Sequence, residues 1–273
     1  MFLLKNSKQV VAGLGEIGRP ILKILSRNQI AVGYDINNRL INHKNFEKYK
    51  NFETSLLHVC IPFTSKFLTN ISSLNRKFKP KCIIIHSTIS PNTTKILQKK
   101  LNIPIIYSAT RGVHKRMEKD LKLYTKFFSI YDWLPKAKWA ERYYTLTMRK
   151  VGIKTKKMSS PLVLELAKIV VDTSYYGWLI NYAQLSNIIS QKNKVNYDEM
   201  WSFSDEIHKN LRNRPKMYPG FIGGHCVIPN LDLIKEDSLY QIEKINNMFA
   251  KKMKNSKLIR KKYDKSKKAS SGI

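Results

Sequence analysis

Long apolar runs, cysteines and acidic residues are all scarce in this sequence. No run approaches the roughly 18 consecutive apolar residues that a membrane-spanning helix needs. The first residues contain no apolar stretch that ends in a small-residue cleavage site, so no secretory signal is expected. The three cysteines, Cys60, Cys82 and Cys226, are too few and too scattered for a disulfide framework. We therefore expect a cytoplasmic protein with reduced thiols.

The shortage of acidic residues makes the chain strongly basic. Asp and Glu number 19 against 50 Lys and Arg, which gives a net charge of +31. This charge suits a polyanionic partner, either nucleic acid or an anionic membrane surface, or ligands that carry phosphates. A general lysine bias explains it equally well, because lysine is spread over the whole chain. Only the stretch 251–268 concentrates the charge, so any nucleic-acid or surface contact is expected there.

What is present indicates a folded α/β protein. The length of 273 residues and the hydrophobic content of 42% suit two domains and a tail. Over the first 150 residues, short β-branched runs alternate with helical patterns, which is typical of βαβ units and a parallel sheet. The expected strands are 9–12, 30–34, 56–61, 82–86, 103–107 and 127–131. Helices are expected over 17–27 and over 139–151. Another helix is expected to start at residues 92–94, with Asn92 or Thr93 as its cap.

After Pro161 the pattern becomes helical. Residues 161–191 predict one long helix, 197–211 predict another, and a last amphipathic helix is expected over 234–252. A segment rich in Pro and Gly, 215–229, separates them. The predicted architecture is a doubly wound Rossmann domain over 1–155, an all-helical central domain over 156–255 and a basic flexible tail over 256–273.

A glycine loop follows the first expected strand and opens the first expected helix. It has the pattern GxGxxG, the context in which this pattern binds a dinucleotide. Gly13 permits the tight turn, Gly15 lets backbone approach a pyrophosphate, and Gly18 lets helix lie close on strand. The free N–H groups at the helix start would bind the phosphates. The other loop residues counted as cofactor-binding candidates are Glu16 and Ile17.

The second expected strand ends in an acid, which favours NAD as the cofactor. Asp35 is placed to accept hydrogen bonds from the adenosine ribose hydroxyls and to repel a 2′-phosphate. Arg39, four residues later, slightly weakens this preference for NAD over NADP.

Cys226 is the candidate reactive thiol. It follows Gly223, Gly224 and His225 in a segment without strand or helix pattern, and nearby basic residues favour the thiolate. Two other interpretations stay open: a small residue in a tight loop, or a metal ligand together with His225. No second Cys or His lies at ligand spacing, so no metal site is expected. Cys60 and Cys82 lie in apolar strand runs and are expected to be inert core residues.

The segment PGFIGGHCVIPN, which contains this cysteine, resembles the PGxGGHCxPxD motif of the UDP-glucose and UDP-N-acetylmannosamine dehydrogenases. Four other segments are similar to motifs of the same nucleotide-sugar dehydrogenase family: GLGEIGRPI, VCIPF, HSTISPNTT and ELAKIVVD. All five occur in the family's order and at roughly its spacing, over residues 9–245.

The resemblance implies a four-electron oxidation of a sugar primary alcohol to a carboxylate, with two NAD per substrate. By this analogy Cys226 attacks the aldehyde intermediate, and the thiohemiacetal becomes a thioester that water hydrolyses. Lys168 would stabilise the oxyanion, and Thr88 would hold a water or the nicotinamide region. As alternatives, Lys168 is a solvated helix residue and Thr88 a hydroxyl at a helix start.

The resemblance also implies where the cofactor and a second copy of the chain bind. Ile61, Pro62 and Ser87, together with Thr88, would border the cofactor. The long helix that starts near Pro161 resembles the family's dimer-forming helix, so a homodimer is expected.

Three departures from the family pattern concern the second half of the reaction. Asp172 stands where the family has Asn, and Asn230 stands where it has the acid, so the pair looks exchanged. We hypothesise that Asp172 supplies the carboxylate that positions or deprotonates water, with Asn230 as its amide partner. The third departure is that the family's Pro-Glu has no counterpart near 108–111. Separately, we expect no counterpart of the family's second Rossmann-like domain, which holds the nucleotide. A differently held anionic substrate, a partner chain that supplies the missing domain, or lost catalysis are the three open outcomes.

Three functions remain in view. The first is NAD-dependent oxidation of a nucleotide sugar or a related phosphorylated sugar through Cys226. The second is a single oxidation of the β-hydroxyacid dehydrogenase type, in which Lys168 performs the acid–base step. The third is a non-catalytic NAD-binding protein whose basic tail docks on nucleic acid or an anionic surface.

Overall fold

The computed structural model describes residues 6–224 and 226–254. Its contacts divide the chain into two compact units, with the boundary after Lys168. The domain boundaries expected from the sequence, after residues 155 and 255, stay predictions, and the basic tail lies outside the described residues. Among the described residues, no helix is both long enough and apolar enough to cross a membrane.

The first unit is built on a sheet of seven strands, counted over the described residues, in the order β2-β1-β3-β4-β5-β6-β7. The strands are β1 (Ser7–Ala12), β2 (Ala31–Tyr34), β3 (Glu53–Val59), β4 (Cys82–Ile85), β5 (Ile105–Tyr107), β6 (Lys126–Ile130) and β7 (Thr155–Lys157). The six strands expected from the sequence are all present. β6 is antiparallel to β5, however, and β7 was not expected. Side chains alternate in the same way in either direction, so the apolar pattern did not reveal the orientation of β6.

Both faces of this sheet are covered by apolar side chains. Val11 and Leu56 belong to one core cluster, whereas their sequence neighbours Val10 and Leu57 belong to another. Successive residues of a strand point to opposite faces, so each strand contributes to two cores. The strands β1 to β5 are parallel. The prediction of a doubly wound α/β Rossmann fold is therefore confirmed.

The helices of the first unit cover the two faces of the sheet. They are α1 (Gly18–Leu25), α2 (His43–Lys48), α3 (Phe67–Phe78), α4 (Thr93–Leu101), α5 (Met117–Leu123), α6 (Ala137–Lys150) and α7 (Pro161–Leu166). Ile21, Ile24 and Leu25 of α1 are buried, as their helical spacing predicted. α4 starts where expected, with Asn92 at the N-cap position and Thr93 as its first residue. The expected side-chain cap from Asn92 is wrong, since this residue is left-handed and, among the described residues, its side chain makes no capping hydrogen bond.

The predicted long helix is present as a helical run from Pro161 to Lys192, but it is not uniform. A π-helical segment, Ala167–Ser174, separates α7 from α8 (Tyr175–Lys192). The hydroxyls of Thr173 and Ser174 both donate to the carbonyl oxygen of Ile169, at 2.9 and 2.8 Å. Hydroxyls that donate to a helix carbonyl oxygen compete with the backbone N–H that normally binds it. This competition favours the wider π-helical turn at this position.

The second unit continues with α9 (Tyr197–Leu211), α10 (Ile228–Ile234) and α11 (Gln241–Lys254). α9 matches its prediction. The predicted helix over 234–252 is wrong at its start, because Lys235 adopts a left-handed conformation with φ 55° and ends α10. Gly177 of α8 permits close packing: a Cβ there would lie 2.8 Å from Val227 Cγ1.

Candidate cofactor site

The glycine loop between β1 and α1 requires glycine at two positions for reasons inside the protein. Gly13 has φ +91°, and a Cβ on it would lie 2.8 Å from the backbone carbon and oxygen of Cys60. A Cβ on Gly18 would lie 1.7 Å from the carbonyl oxygen of Gly13. Gly13 therefore allows the tight turn beside β3, and Gly18 allows α1 to start directly against the backbone of this turn.

Gly15 differs from these two glycines. A Cβ on Gly15 would meet no atom of the described residues within 4 Å, and the residue is exposed. Within this part of the chain, no packing contact explains its lack of a side chain. Open space in front of the backbone is what the approach of a pyrophosphate requires.

Asp35 ties the end of β2 to the glycine loop. Its Oδ2 accepts a hydrogen bond from the Leu14 N–H at 2.7 Å, and its Oδ1 accepts one from the Asn37 N–H at 2.9 Å. Each carboxylate oxygen has a second lone pair, so the half-buried carboxylate can also accept from ribose hydroxyls. Arg39 lies in the exposed turn that follows, where its N–H is bound by the Asn37 side chain at 3.1 Å.

The remaining loop residues have protein partners. Exposed Glu16 contacts His114, with 2.7 Å between Oε2 and Nδ1. Ile17 is half-buried and packs against the core. Arg19 donates from Nε to the Leu14 carbonyl oxygen at 2.8 Å. These contacts hold the loop against the rest of the first unit.

Ile61, Pro62, Ser87 and Thr88 follow β3 and β4, at the carboxyl ends of strands next to β1. The Ser87 hydroxyl donates to the Ile61 carbonyl oxygen at 2.5 Å, which joins the two loops. Here the strand order reverses, because β1 lies between β2 and β3, and ligands of open α/β sheets bind in this crevice. The structure therefore brings the predicted cofactor residues of the first unit to one edge.

A buried carboxylate fixes the helix that follows these loops. Glu165 of α7 is fully buried, and it accepts hydrogen bonds from the Asn92 N–H at 2.6 Å and the Thr94 N–H at 2.9 Å. The Thr94 hydroxyl adds a third hydrogen bond at 2.6 Å. Glu165 thus caps α4 in place of Asn92, and it lies three residues before Lys168.

A row of buried polar side chains, which the sequence analysis missed, crosses the sheet. His58 Nε2 lies 2.8 Å from Gln9 Oε1, His58 Nδ1 lies 2.9 Å from His86 Nε2, and His86 Nδ1 lies 3.2 Å from the Ser108 carbonyl oxygen. Gln9 in turn donates to Gln29. The signal was present as polar residues inside apolar strand runs, at Leu-His58-Val and Ile-His86-Ser.

This row needs three protons on four ring nitrogens if every contact is a hydrogen bond. Two neutral rings supply only two, so one contact lacks its proton. The contact of His86 with Ser108 is the longest, and the Ser108 carbonyl oxygen already accepts from Lys126 Nζ at 3.0 Å. We therefore place both ring protons on Nε2. Burial, assisted by the Lys126 charge, lowers the pKa of His58 to about 3 and that of His86 well below its usual value.

Lys126 of β6 is the other buried base, and it lies close to the candidate site. Its ammonium also contacts the Ala109 carbonyl oxygen and Thr110 Oγ1, at 3.4 and 3.1 Å. Burial is the main cause that lowers its pKa to about 7, and the charges of Arg111 and Lys168 lower it further. Lys168 thus acts electrostatically on this edge of the sheet.

The thiols differ as the sequence predicted. Burial raises the pKa of Cys60 to about 12 and raises that of Cys82 as well, so both stay protonated. Cys226 is exposed, and its carbonyl oxygen accepts from the Asn230 side chain. Asp172, like Lys168, is half-buried in the π-helical segment. Cys226, Asp172 and Asn230 belong to the second unit, so their predicted roles toward the cofactor site stay proposals.

The first unit has a Rossmann-like fold with a glycine loop after its first strand, and the second unit is helical. No protein-family model and no curated protein matches the sequence. Solved structures do share the fold.

The chain is similar to UDP-D-ManNAc dehydrogenase from Pyrococcus horikoshii, with a TM-score of 0.72, 17% identity, and coverage of 91% of this chain and 70% of that one. It is also similar to UDP-N-acetyl-mannosamine dehydrogenase from Staphylococcus aureus, with a TM-score of 0.68 and 17% identity. This match covers 90% of this chain and 69% of that one. A 3-hydroxyisobutyrate dehydrogenase from Mycobacterium tuberculosis gives a TM-score of 0.63 at 12% identity. This match covers 91% of this chain and 94% of that one. At these identities the likeness establishes a shared fold.

Proposed function

We propose that this chain is an NAD-dependent dehydrogenase that oxidises a primary alcohol of a nucleotide sugar or a related phosphorylated sugar. The observation that carries the proposal is the glycine loop, in which Gly15 faces open space while Asp35 binds the Leu14 N–H from the neighbouring strand end. This arrangement fits a dinucleotide, with its pyrophosphate at the start of α1 and its adenosine ribose at Asp35. NAD would supply the hydride acceptor.

The cofactor part of the proposal is tested by titrating NAD and NADP into the protein. NAD should bind more tightly than NADP, because the Asp35 carboxylate repels a 2′-phosphate. In Asp35→Asn we expect NAD affinity to fall at least tenfold and the preference for NAD to shrink. Asp132→Asn, at an exposed position elsewhere in the first unit, is the matched control. Equal affinities for NAD in Asp35→Asn and the parent would overturn the assignment.

For the chemistry, we propose that Cys226 attacks the aldehyde formed by the first oxidation and that Lys168 stabilises the oxyanion. Exposure of Cys226 and the electrostatic action of Lys168 at the sheet edge support these roles. NADH should form in a ratio of two per sugar across a panel of UDP-, GDP- and simple phospho-sugars. Cys226→Ser should stop after the first oxidation, and a ratio of two in this variant would exclude the thiol.

One alternative is a single oxidation of the β-hydroxyacid type with Lys168 as the acid–base group. It is favoured by the likeness to the hydroxyisobutyrate dehydrogenase, 94% of which the chain covers. One NADH per substrate, unchanged in Cys226→Ser, would select this alternative.

The proposal includes a homodimer through the helix that begins near Pro161. Tyr175, Tyr182 and Ile189 of α8 are 57%, 64% and 56% exposed and recur every seven residues, the repeat by which helices pair. Sedimentation should show a dimer for the parent and a monomer for Tyr182→Glu. Tyr218→Glu, at a 75% exposed tyrosine outside α8, should stay dimeric.

A further inference from the structure

A pocket lies in the first unit, at the edge of the sheet opposite the glycine loop. It has a volume of about 470 Å³, the size of small-ligand sites. Its lining includes Lys8 and Thr54, at the beginnings of β1 and β3, and Lys81, which directly precedes β4. The cofactor residues follow the carboxyl ends of the same strands, so the two sites are separated by the length of the strands.

The floor of this pocket is built around a buried ammonium group. Lys8 is 5% exposed, and its Nζ donates to the carbonyl oxygens of Tyr49, Lys50 and Phe52 at 2.7, 2.8 and 2.7 Å. These three bonds hold the segment after α2 against the sheet. The acceptors are dipoles rather than anions, so the positive charge of Lys8 is not neutralised by them.

One wall is aromatic. Phe46, Phe52 and Phe78 line the pocket and are half-buried. The rings of Phe46 and Phe78 contact each other edge to face, with 6.4 Å between their centroids. A flat ring can stack on such a surface, and base–aromatic stacking tolerates any base.

The rim carries more positive charge than the nearby acids neutralise. Lys81 pairs with Glu53 at 2.6 Å, and Lys50 pairs with Glu47 at 2.8 Å. Lys77 lies over the Tyr34 ring, 4.0 Å from its centroid. Within the described part of the chain, neither Lys77 nor Lys79 has a carboxylate partner, and both are exposed.

We propose that this pocket binds a nucleoside phosphate, with its ring on the phenyl wall and its phosphates at Lys77 and Lys79. A ring next to several phosphates matches the combination of an aromatic wall and uncompensated ammonium groups. The site is independent of the proposed dehydrogenase reaction, because none of its lining residues belongs to the cofactor site.

Binding of ATP to the full chain tests this site. Lys77→Glu combined with Lys79→Glu should weaken ATP binding at least tenfold. Lys119→Glu combined with Lys122→Glu makes the same change of charge on α5 and should leave ATP affinity within twofold. An equal loss in both double variants would show a general charge effect and overturn the proposal.

Two further measurements separate the ring from the phosphates and this pocket from the glycine loop. Phe52→Ala should weaken ATP about fivefold and leave inorganic pyrophosphate unchanged. ATP affinity should be unchanged in Asp35→Asn, which alters only the proposed cofactor site. A loss of ATP binding in Asp35→Asn, or an equal effect of Phe52→Ala on both probes, would contradict the site as proposed. The comparison of the two double variants decides the proposal even if NAD does not bind.

Discussion

The imidazole rings of His58 and His86 lie edge to edge and nearly parallel inside the sheet, with His58 Nδ1 2.9 Å from His86 Nε2. Both rings are at most 1% exposed. One proton must lie between these nitrogens, because two lone pairs at this distance would repel each other. The whole row is then one proton short, and the shortage falls on His86 Nδ1.

We predict that both histidines are neutral and carry their proton on Nε2 at pH 7. Nitrogen-detected NMR of the histidine side chains reports the tautomer directly. A proton on His86 Nδ1 at this pH would contradict the assignment, since one of the other two contacts of the row would then lack its proton. His43, which is exposed, provides a reference ring in the same spectrum.

Lys126 should make folding stability depend on pH. Burial lowers its pKa to about 7 from an ordinary value of 10.5, so the folded state binds fewer protons than the unfolded chain between these values. The free energy of unfolding should therefore rise with pH over this window, by up to about 1.4 kcal/mol per pH unit from this group. In Lys126→Met this slope should be absent.

Denaturant unfolding at several pH values between 7.5 and 9.5 measures the difference between the two slopes. Lys119→Met, which removes an exposed lysine of α5, is the control and should keep the slope of the parent. Parallel curves for the parent and Lys126→Met would show that Lys126 titrates normally. The comparison of slopes is unaffected by the hydrogen bonds that Lys126→Met also removes.

Gly15 and Gly18 should respond in opposite ways to the same change. Gly18→Ala places a Cβ 1.7 Å from the Gly13 carbonyl oxygen, so we expect a loss of stability of about 2 kcal/mol or more. Gly15→Ala meets no protein atom within 4 Å, so stability should stay within about 0.5 kcal/mol while NAD affinity falls at least tenfold. Thermal unfolding and NAD titration on both variants check this. Unchanged NAD binding in Gly15→Ala would mean that the pyrophosphate does not lie there.

The hypothesis that Asp172 and Asn230 have exchanged roles predicts loss and rescue of activity. Asp172→Asn should lower turnover at least tenfold at unchanged NAD affinity, because it removes the carboxylate proposed to act on water. Asn230→Asp added to this variant should recover part of the turnover. Unchanged turnover in Asp172→Asn would contradict the hypothesis of exchanged roles. If Asn230→Asp does not restore turnover, the role toward water belongs to Asp172 alone.

Much of the first unit could be predicted from local patterns. The run Cys82–Ile85 is fully buried because a strand covered on both faces has apolar residues throughout. The spacing of Gly13, Gly15 and Gly18 after a strand, with Asp35 at the next strand end, indicated the cofactor loop. The positive φ of Gly13 and the close approach of Gly18 to Gly13 lie within one short loop, so they leave a local trace.

Contacts between distant segments left no such trace. The cap of α4 comes from Glu165, 71 residues away from Thr94, and the helix pattern after Asn92 pointed to Asn92 itself. The pocket that contains Lys8 and Lys77 is likewise assembled from segments that are far apart in the sequence.

The sequence by itself determined the doubly wound sheet, the glycine loop and the long helical run, because strand and helix periods and glycine stereochemistry are local properties. Tertiary structure alone decided the antiparallel direction of β6, the juxtaposition of His58 and His86 and the lowered pKa of Lys126. The physical reason is that burial and hydrogen-bond partners depend on which strands become neighbours, and a linear pattern does not specify that.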